Sequence, residues 1–366
     1  MNFNAPLLRP IRILLFPASL IYALLVRIRN FFFDRNIFQH ATFNFPLICI
    51  GNLSVGGTGK SSMVEFLVEQ LQAEYRMAIL SRGYKRKTRG YALADEQSTA
   101  LTIGDEPMQF KIKFPDVVIA VGEERLVAIP QLLHDRSEVQ VVIMDDAFQH
   151  RSVAAGYNIL LTEYDNLYTR DWYLPTGDLR DNPSSISRAN VIVVTKCPAD
   201  LAPEEAESIS VELGRQEGRP VYFTTLHYGT PYHITGRHVL PINSKMEVLL
   251  VTGIANPIPL KKYLNERAGT YYEMLFGDHH IFTIDDWKEM ARRFRSISAA
   301  DKILLTTEKD AVRLLKFGSE MADYPLFVLP IQVKFLFGAE QAFLRGVRDF
   351  IGAHQLSQHS VYEQTK

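Results

Sequence analysis

Cysteine is almost missing from this chain. There are two in 366 residues, Cys49 and Cys197, each inside an apolar run. Their spacing builds no metal or redox motif and no disulfide framework, so the sequence predicts a reducing compartment with both thiols buried. A surplus of charge is missing too. Lysine and arginine number 40 against 41 acidic residues, for a net charge of −1. That balance gives no sign of a nucleic-acid partner. Repeats and low-complexity tracts are absent, and no obligate protein partner is evident. The apolar N-terminal run, residues 13–26, covers about 21 Å as a helix, short of the ~30 Å of a bilayer core. It also lacks the small-residue cleavage site of a secretory signal.

What is present is concentrated. Residues 1–40 carry Arg9, Arg12, Arg27, Arg29 and Arg35 against Asp34 alone, a net +4 that leaves −5 for the rest. An apolar run flanked by arginines predicts a helix lying in a membrane interface, with its cations at anionic headgroups. An ordinary buried helix is the alternative. The main signal follows at 47–62. An apolar strand, Leu47–Asn52, feeds Leu53-Ser54-Val55-Gly56-Gly57-Thr58-Gly59-Lys60-Ser61-Ser62, and an amphipathic helix opens there. This is the context of a P-loop. Backbone N–H groups of Ser54 through Ser62 would cradle phosphates of a nucleoside triphosphate. Lys60 would reach the outer phosphates, and the Ser61 hydroxyl would ligate Mg²⁺. Ser54 stands where the pattern usually has its first glycine.

Strands and helices then alternate. A second strand at 76–81 runs into a basic loop at 81–91, which suits either an anionic substrate group or a solvated charged face. Gly104-Asp105-Glu106-Pro107 opens a helix. The apolar strand at 139–144 ends in Asp145 and Asp146, the place of a Mg²⁺-holding acid in P-loop proteins. Residues 46–225 therefore read as a doubly wound, mainly parallel α/β domain. Residues 226–245 read as a linking β-ribbon, and 246–356 as a smaller α/β domain. Asp105 is the candidate general base for transfer to a hydroxyl, since it opens a helix and is separate from the metal-type pair. A mere helix cap is the bland alternative.

These motifs, in this order, resemble the tetraacyldisaccharide 4'-kinases, the lipid A kinases of Gram-negative bacteria. The resemblance also includes Ser81-Arg82-Gly83-Tyr84, Asp145 through His150, Leu174-Pro175 through Arg180, Gly253 through Pro257, Asp278-His279-His280 and Thr307 through Val312. It implies transfer of the γ-phosphoryl of ATP, with Mg²⁺, to the 4'-hydroxyl of an acylated disaccharide 1-phosphate glycolipid. The place implied is the cytoplasmic face of the inner membrane, with peripheral or monotopic attachment. It further implies His279 as the partner of Asp105, Asp181 as a third metal carboxylate, and Arg82, Glu106, Arg125, Gln149, His150 and Arg180 as substrate contacts. Ala147 replaces a usual glycine, and Asp181 a frequent glutamate. A membrane-associated P-loop GTPase or ATPase switch is the competing function. Against it, Val193-Val194-Thr195-Lys196 is followed by Cys197-Pro198, which breaks a guanine-reading motif.

Overall fold

The computed structural model describes residues 9–364 except Glu217 and His279, with side chains described from Arg12 to His354. Two helices, α1 (Arg9–Leu14) and α2 (Phe16–Asp34), lead through the two-residue strand β1 (Ala41–Thr42) to β2 (Leu47–Asn52). Then come α3 (Lys60–Leu71), β3 (Met77–Ser81), β4 (Ala92–Leu93), α4 (Ala100–Ile103), α5 (Asp105–Lys113), β5 (Val118–Val121), α6 (Arg125–Asp135) and β6 (Val141–Asp145). After β7 (Val153–Ala154), which pairs with β1, follow β8 (Tyr157–Glu163), β9 (Val191–Thr195), α7 (Pro203–Glu212) and β10 (Val221–Tyr228). A second unit holds β11 (Tyr232–His233), β12 (Glu247–Thr252), α8 (Ile258–Arg267), β13 (Thr270–Leu275), α9 (Ile284–Ser296), β14 (Lys302–Thr307), α10 (Glu308–Leu314), α11 (Gly318–Met321) and β15 (Leu326–Leu329). The described chain closes with β16 (Ile331–Phe335) and α12 (Glu340–Gln364).

Nine strands form the large sheet in the order β16-β10-β9-β8-β2-β6-β3-β5-β4. The interior pairs are parallel, and only the two edge pairs, β10–β16 and β4–β5, are antiparallel. Strands of an interior parallel sheet are covered on both faces, which is why Leu47–Asn52 is buried throughout instead of alternating. The smaller sheet has the order β11-β15-β14-β12-β13, parallel except at β11. Its helices follow local rules. Thr283 caps α9 in a box with Asp286, and Trp287, Met290, Ala291 and Phe294 then form one buried stripe.

Two expectations need correction. The segment from 331 onward was expected within the small domain, but β16 pairs with β10 and α12 packs on the large sheet. Phe335 and Phe343 lie 4.7 Å apart between ring centroids, with Phe66 of α3 against both. The ribbon joining the units is therefore built from β10 and β16, which come from opposite sides of the small unit in sequence. The cause is apolar burial: Phe343, Leu344, Val347 and Ile351 complete a core that α3 covers only in part.

The second correction concerns the N-terminus. The apolar helix is 19 residues, not the fourteen of the uncharged run, and so is long and apolar enough to cross a membrane. Its docked face is small and polar instead, through Ser19, Ala23 and Asn30. Leu20, Ile21, Leu24 and Leu25 all point outward, each more than half exposed.

Candidate active site

The P-loop strand β2 lies between β6 and β8, and the carboxyl ends of the neighbouring parallel strands meet at one edge. This is where an open α/β sheet places its ligand. Gly56 and Gly59 have φ of +109° and +85°, a region that L side chains rarely adopt, and Gly59 is the residue from which α3 starts. Ser54 does not share that geometry. It is buried, and its carbonyl accepts from Asn52 Nδ2 at 2.7 Å, so serine is accommodated where the pattern has glycine.

Asn52 is the hub of the loop. Its Nδ2 also donates to Thr58 Oγ1 at 2.8 Å, and its Oδ1 accepts from Lys60 Nζ at 3.3 Å and Arg180 Nη2 at 2.5 Å. The loop is held from outside as well. Val55 N–H donates to Asp178 O, Arg180 N–H to Leu53 O, and Thr195 Oγ1 to Thr58 O.

At the end of β6, level with Ile50 of the P-loop strand, sits Asp145. It is buried, Ser81 donates to its Oδ2 at 3.2 Å, and its Oδ1 has no hydrogen-bond partner among the described residues. Burial, aided by Glu106 and Asp146 nearby, pushes its carboxyl up to about 7. A cation among these oxygens would reverse that direction. Asp146 follows at φ +48° and pairs with Lys60 (3.7 Å) and Arg180. Burial opposes its charge, but Lys60 and Arg180 outweigh it and hold the carboxyl below its usual range. Glu106 accepts from the Ser61 hydroxyl at 3.2 Å, which brings the start of α5 to the start of α3. Asp105, one residue earlier, accepts from Arg313 Nη2 of α10 at 2.6 Å.

A phosphate cradle, an acid at the end of the adjacent strand and a separate carboxylate across the cleft form a phosphoryl-transfer constellation. The comparisons agree with that geometry. A family model described as tetraacyldisaccharide-1-P 4'-kinase (LpxK) matches residues 11–351. The chain belongs to this family. It is 43% identical to the tetraacyldisaccharide 4'-kinase of Flavobacterium johnsoniae, with 89% of this chain and 93% of that one covered. It is 40% identical to that of Phocaeicola vulgatus over 92% and 94%. A crystal structure of LpxK from Aquifex aeolicus in complex with ATP superposes with a TM-score of 0.72 at 27% identity, covering 93% of this chain and 99% of that one.

Not every expected residue of the kinase site serves as the sequence suggested. Arg125 is almost wholly buried, and its guanidinium donates to the carbonyls of Gly122 and Asp145. It braces the end of β6 from inside rather than reaching a substrate. Gln149 donates to Asn52 O at 2.7 Å and so staples its loop to β2. Asp181 is also occupied. Its oxygens accept from Asn30 Nδ2 (2.8 Å), Ser185 Oγ (3.1 Å), Asn182 N–H (2.7 Å) and Arg188 Nη2 (3.1 Å). That carboxylate clasps α2 through Asn30. Arg82 is exposed at the rim, within electrostatic range of His150. Burial, with Arg125 and Arg82, lowers His150 to about 4, so its imidazole is neutral at pH 7. His279 lies outside the described residues.

The sequence reading missed Asn52 as a hub, along with Asn30, Arg188 and Arg313. For Asn52 there was a signal: a polar residue closes an otherwise apolar buried strand. For the others there was none.

Proposed function

We propose that this chain transfers the γ-phosphoryl of ATP to the 4'-hydroxyl of an acylated glucosamine disaccharide 1-phosphate at a membrane surface. The observation that carries this reading is the meeting of Lys60, Asp145, Asp146 and the Asp105-Glu106 helix start at one sheet edge, beside a helix whose apolar face points outward. The P-loop N–H groups and Lys60 bind the triphosphate and stabilise charge that shifts between its oxygens in the transition state. Arg180, bonded to the same Asn52 and Asp146 side chains as Lys60, adds a second cation beside it. Asp105 accepts the proton of the attacking hydroxyl, with His279 as its partner.

The residues fit Mg²⁺. Ser61 offers a hydroxyl, and Asp145 a buried oxygen without a hydrogen-bond partner among the described residues; Asp146 is nearby but already shared by two cations. Among the described residues no group of three or more His, Cys, Asp or Glu forms a cage. That is the usual pattern for a cation that takes most of its shell from phosphate and water oxygens. When bound, Mg²⁺ neutralises phosphate charge as it develops.

The glycolipid's acyl chains stay in the bilayer, so its kinase must work at the lipid surface. α2 supports this. Its docked face bonds through Ser19 to Thr176, Tyr22 to Arg180 O and Asn30 to Asp181, which leaves leucine and isoleucine outward. Interfacial attachment at the cytoplasmic face, where ATP is present, follows. Of the contacts expected for the sugar phosphate, Arg82 and neutral His150 remain as candidates. The direct test uses radiolabelled ATP and the disaccharide 1-phosphate in detergent micelles, resolved by thin-layer chromatography. A labelled lipid is expected. Nucleotide hydrolysis that ignores the acceptor would instead support a switch protein.

A further inference from the structure

The Thr307 to Val312 motif has no part in the chemistry described so far, yet it lies on the helix that faces α5. The two helices run antiparallel, and ion pairs fasten both ends. At the start of α5, Arg313 Nη2 reaches Asp105 Oδ2 at 2.6 Å. At its other end, Lys113 Nζ reaches Glu308 Oε1 at 3.2 Å, together with Glu65 at 2.9 Å and Glu69 at 3.3 Å of α3. Glu308 also accepts from Ile331 N–H, the first residue of the returning strand β16. Arg313 has its own anchor. Its Nη1 lies 3.4 Å from Asp310 Oδ1, and Asp310 is fully buried. Asp310 Oδ2 accepts from Thr252 Oγ1 (2.8 Å), Thr307 Oγ1 (2.8 Å) and Gly253 N–H (2.9 Å).

We infer that Arg313 is a positioning residue for phosphoryl transfer: from the small unit it holds the Asp105 carboxylate in the orientation that meets the acceptor hydroxyl. The inference rests on the reading of Asp105 as proton acceptor. A planar guanidinium between two carboxylates fixes the direction of both, which a flexible ammonium does not. The Asp310 end cannot swing, because three donors hold its far oxygen. Movement at the Arg313 fork therefore passes to Asp105. A geometric error of about 1 Å at a reacting group costs on the order of 10²-fold in rate. The small unit thus contributes to orienting the acid-base residue of the large one, and the Thr-Glu-Lys-Asp motif supplies the rigid mount.

The experiment is a kinetic cycle with purified full-length protein, ATP and the disaccharide 1-phosphate in mixed micelles. Arg313→Ala is expected to lower kcat at least tenfold with KM for ATP within about twofold of wild type. Arg313→Lys, which keeps the charge but loses the fork, should recover part of that loss. In an Asp105→Asn background, Arg313→Ala should cost no more than about a further twofold. Melting curves accompany each variant; if Arg313→Ala does not melt cooperatively, Arg313→Gln and Arg313→Lys carry the cycle. Wild-type kcat in a folded Arg313 variant, or full multiplicative loss on top of Asp105→Asn, overturns the inference. Wild-type kcat in Asp105→Asn alone overturns the reading of Asp105 itself, a separate result.

Discussion

At the scale of single residues, the site is a set of charges that neutralise one another until phosphate arrives. Lys60 and Arg180 share Asp146 and the side-chain oxygen Oδ1 of Asn52, so both cations are placed before ligand binds. Removing Lys60 takes a cation from where phosphate charge shifts, and Lys60→Ala should lower kcat more than tenfold, at least ~1.4 kcal/mol of transition-state stabilisation. Steady-state rates on the melting-competent variant check this. Away from the chemistry, Lys113 faces three carboxylates, and their repulsion has a consequence for stability. Burial and the charge of Glu308 raise Glu65 to about 7, from an ordinary 4.5. Between those values the folded protein holds a proton that the unfolded chain has released, so stability falls as pH rises through that window. In Glu65→Gln the fall should be shallower. Melting temperatures of both proteins from pH 5 to pH 8 would show it, and parallel curves would count against it.

Among the elements, α2 is an amphipathic helix turned inside out relative to a soluble protein. Polar and small residues dock on the protein while large apolar ones meet the surroundings. Substituting Leu24 and Leu25 by serine should release the protein from anionic vesicles in a co-sedimentation assay. Unfolding free energy should change by no more than ~0.5 kcal/mol, since both side chains are more than half exposed. Cutting away both N-terminal helices is a poorer test. Arg12 pairs with Asp178 at 2.7 Å and Tyr22 bonds to Arg180 O, so truncation also loosens the loop that carries Arg180. A truncated protein should lose both vesicle binding and part of its kcat. The serine variants should keep activity on acceptor dissolved in micelles.

Over the whole molecule, the large unit is discontinuous and the small one is an insertion between β10 and β16. Tyr228 and Ile331 stand directly opposite each other in that pair. Replacing residues 229–330 by an Asn-Gly turn should therefore close a hairpin and leave a large unit that melts cooperatively. The N-terminal portion alone, residues 1–245, lacks β16 and the aromatic face of α12 and should not. Circular dichroism melts of the two proteins decide it; a cooperative transition in 1–245 would contradict the topology. The same insertion explains how Arg313 comes to Asp105 although 208 residues separate them.

Sequence alone determined what consecutive residues can specify. The P-loop was readable because strand, glycine turn and helix start are contiguous. The acid pair was readable because it ends an apolar strand, and the presence of a second α/β unit because strand and helix periods alternate, though not that it is an insertion. The apolar, arginine-flanked N-terminus was readable in composition, though not which of its faces docks. Tertiary structure alone decided the rest. Arg125, Gln149 and Asp181 were expected at ligands because the family resemblance implied it, and a string of letters carries no burial. Only the folded chain shows these side chains already engaged by partners up to 151 residues away. The return of β16 to the large sheet was likewise out of reach. Its alternating pattern fits either sheet, and the choice fell to the apolar surface that α3 left uncovered.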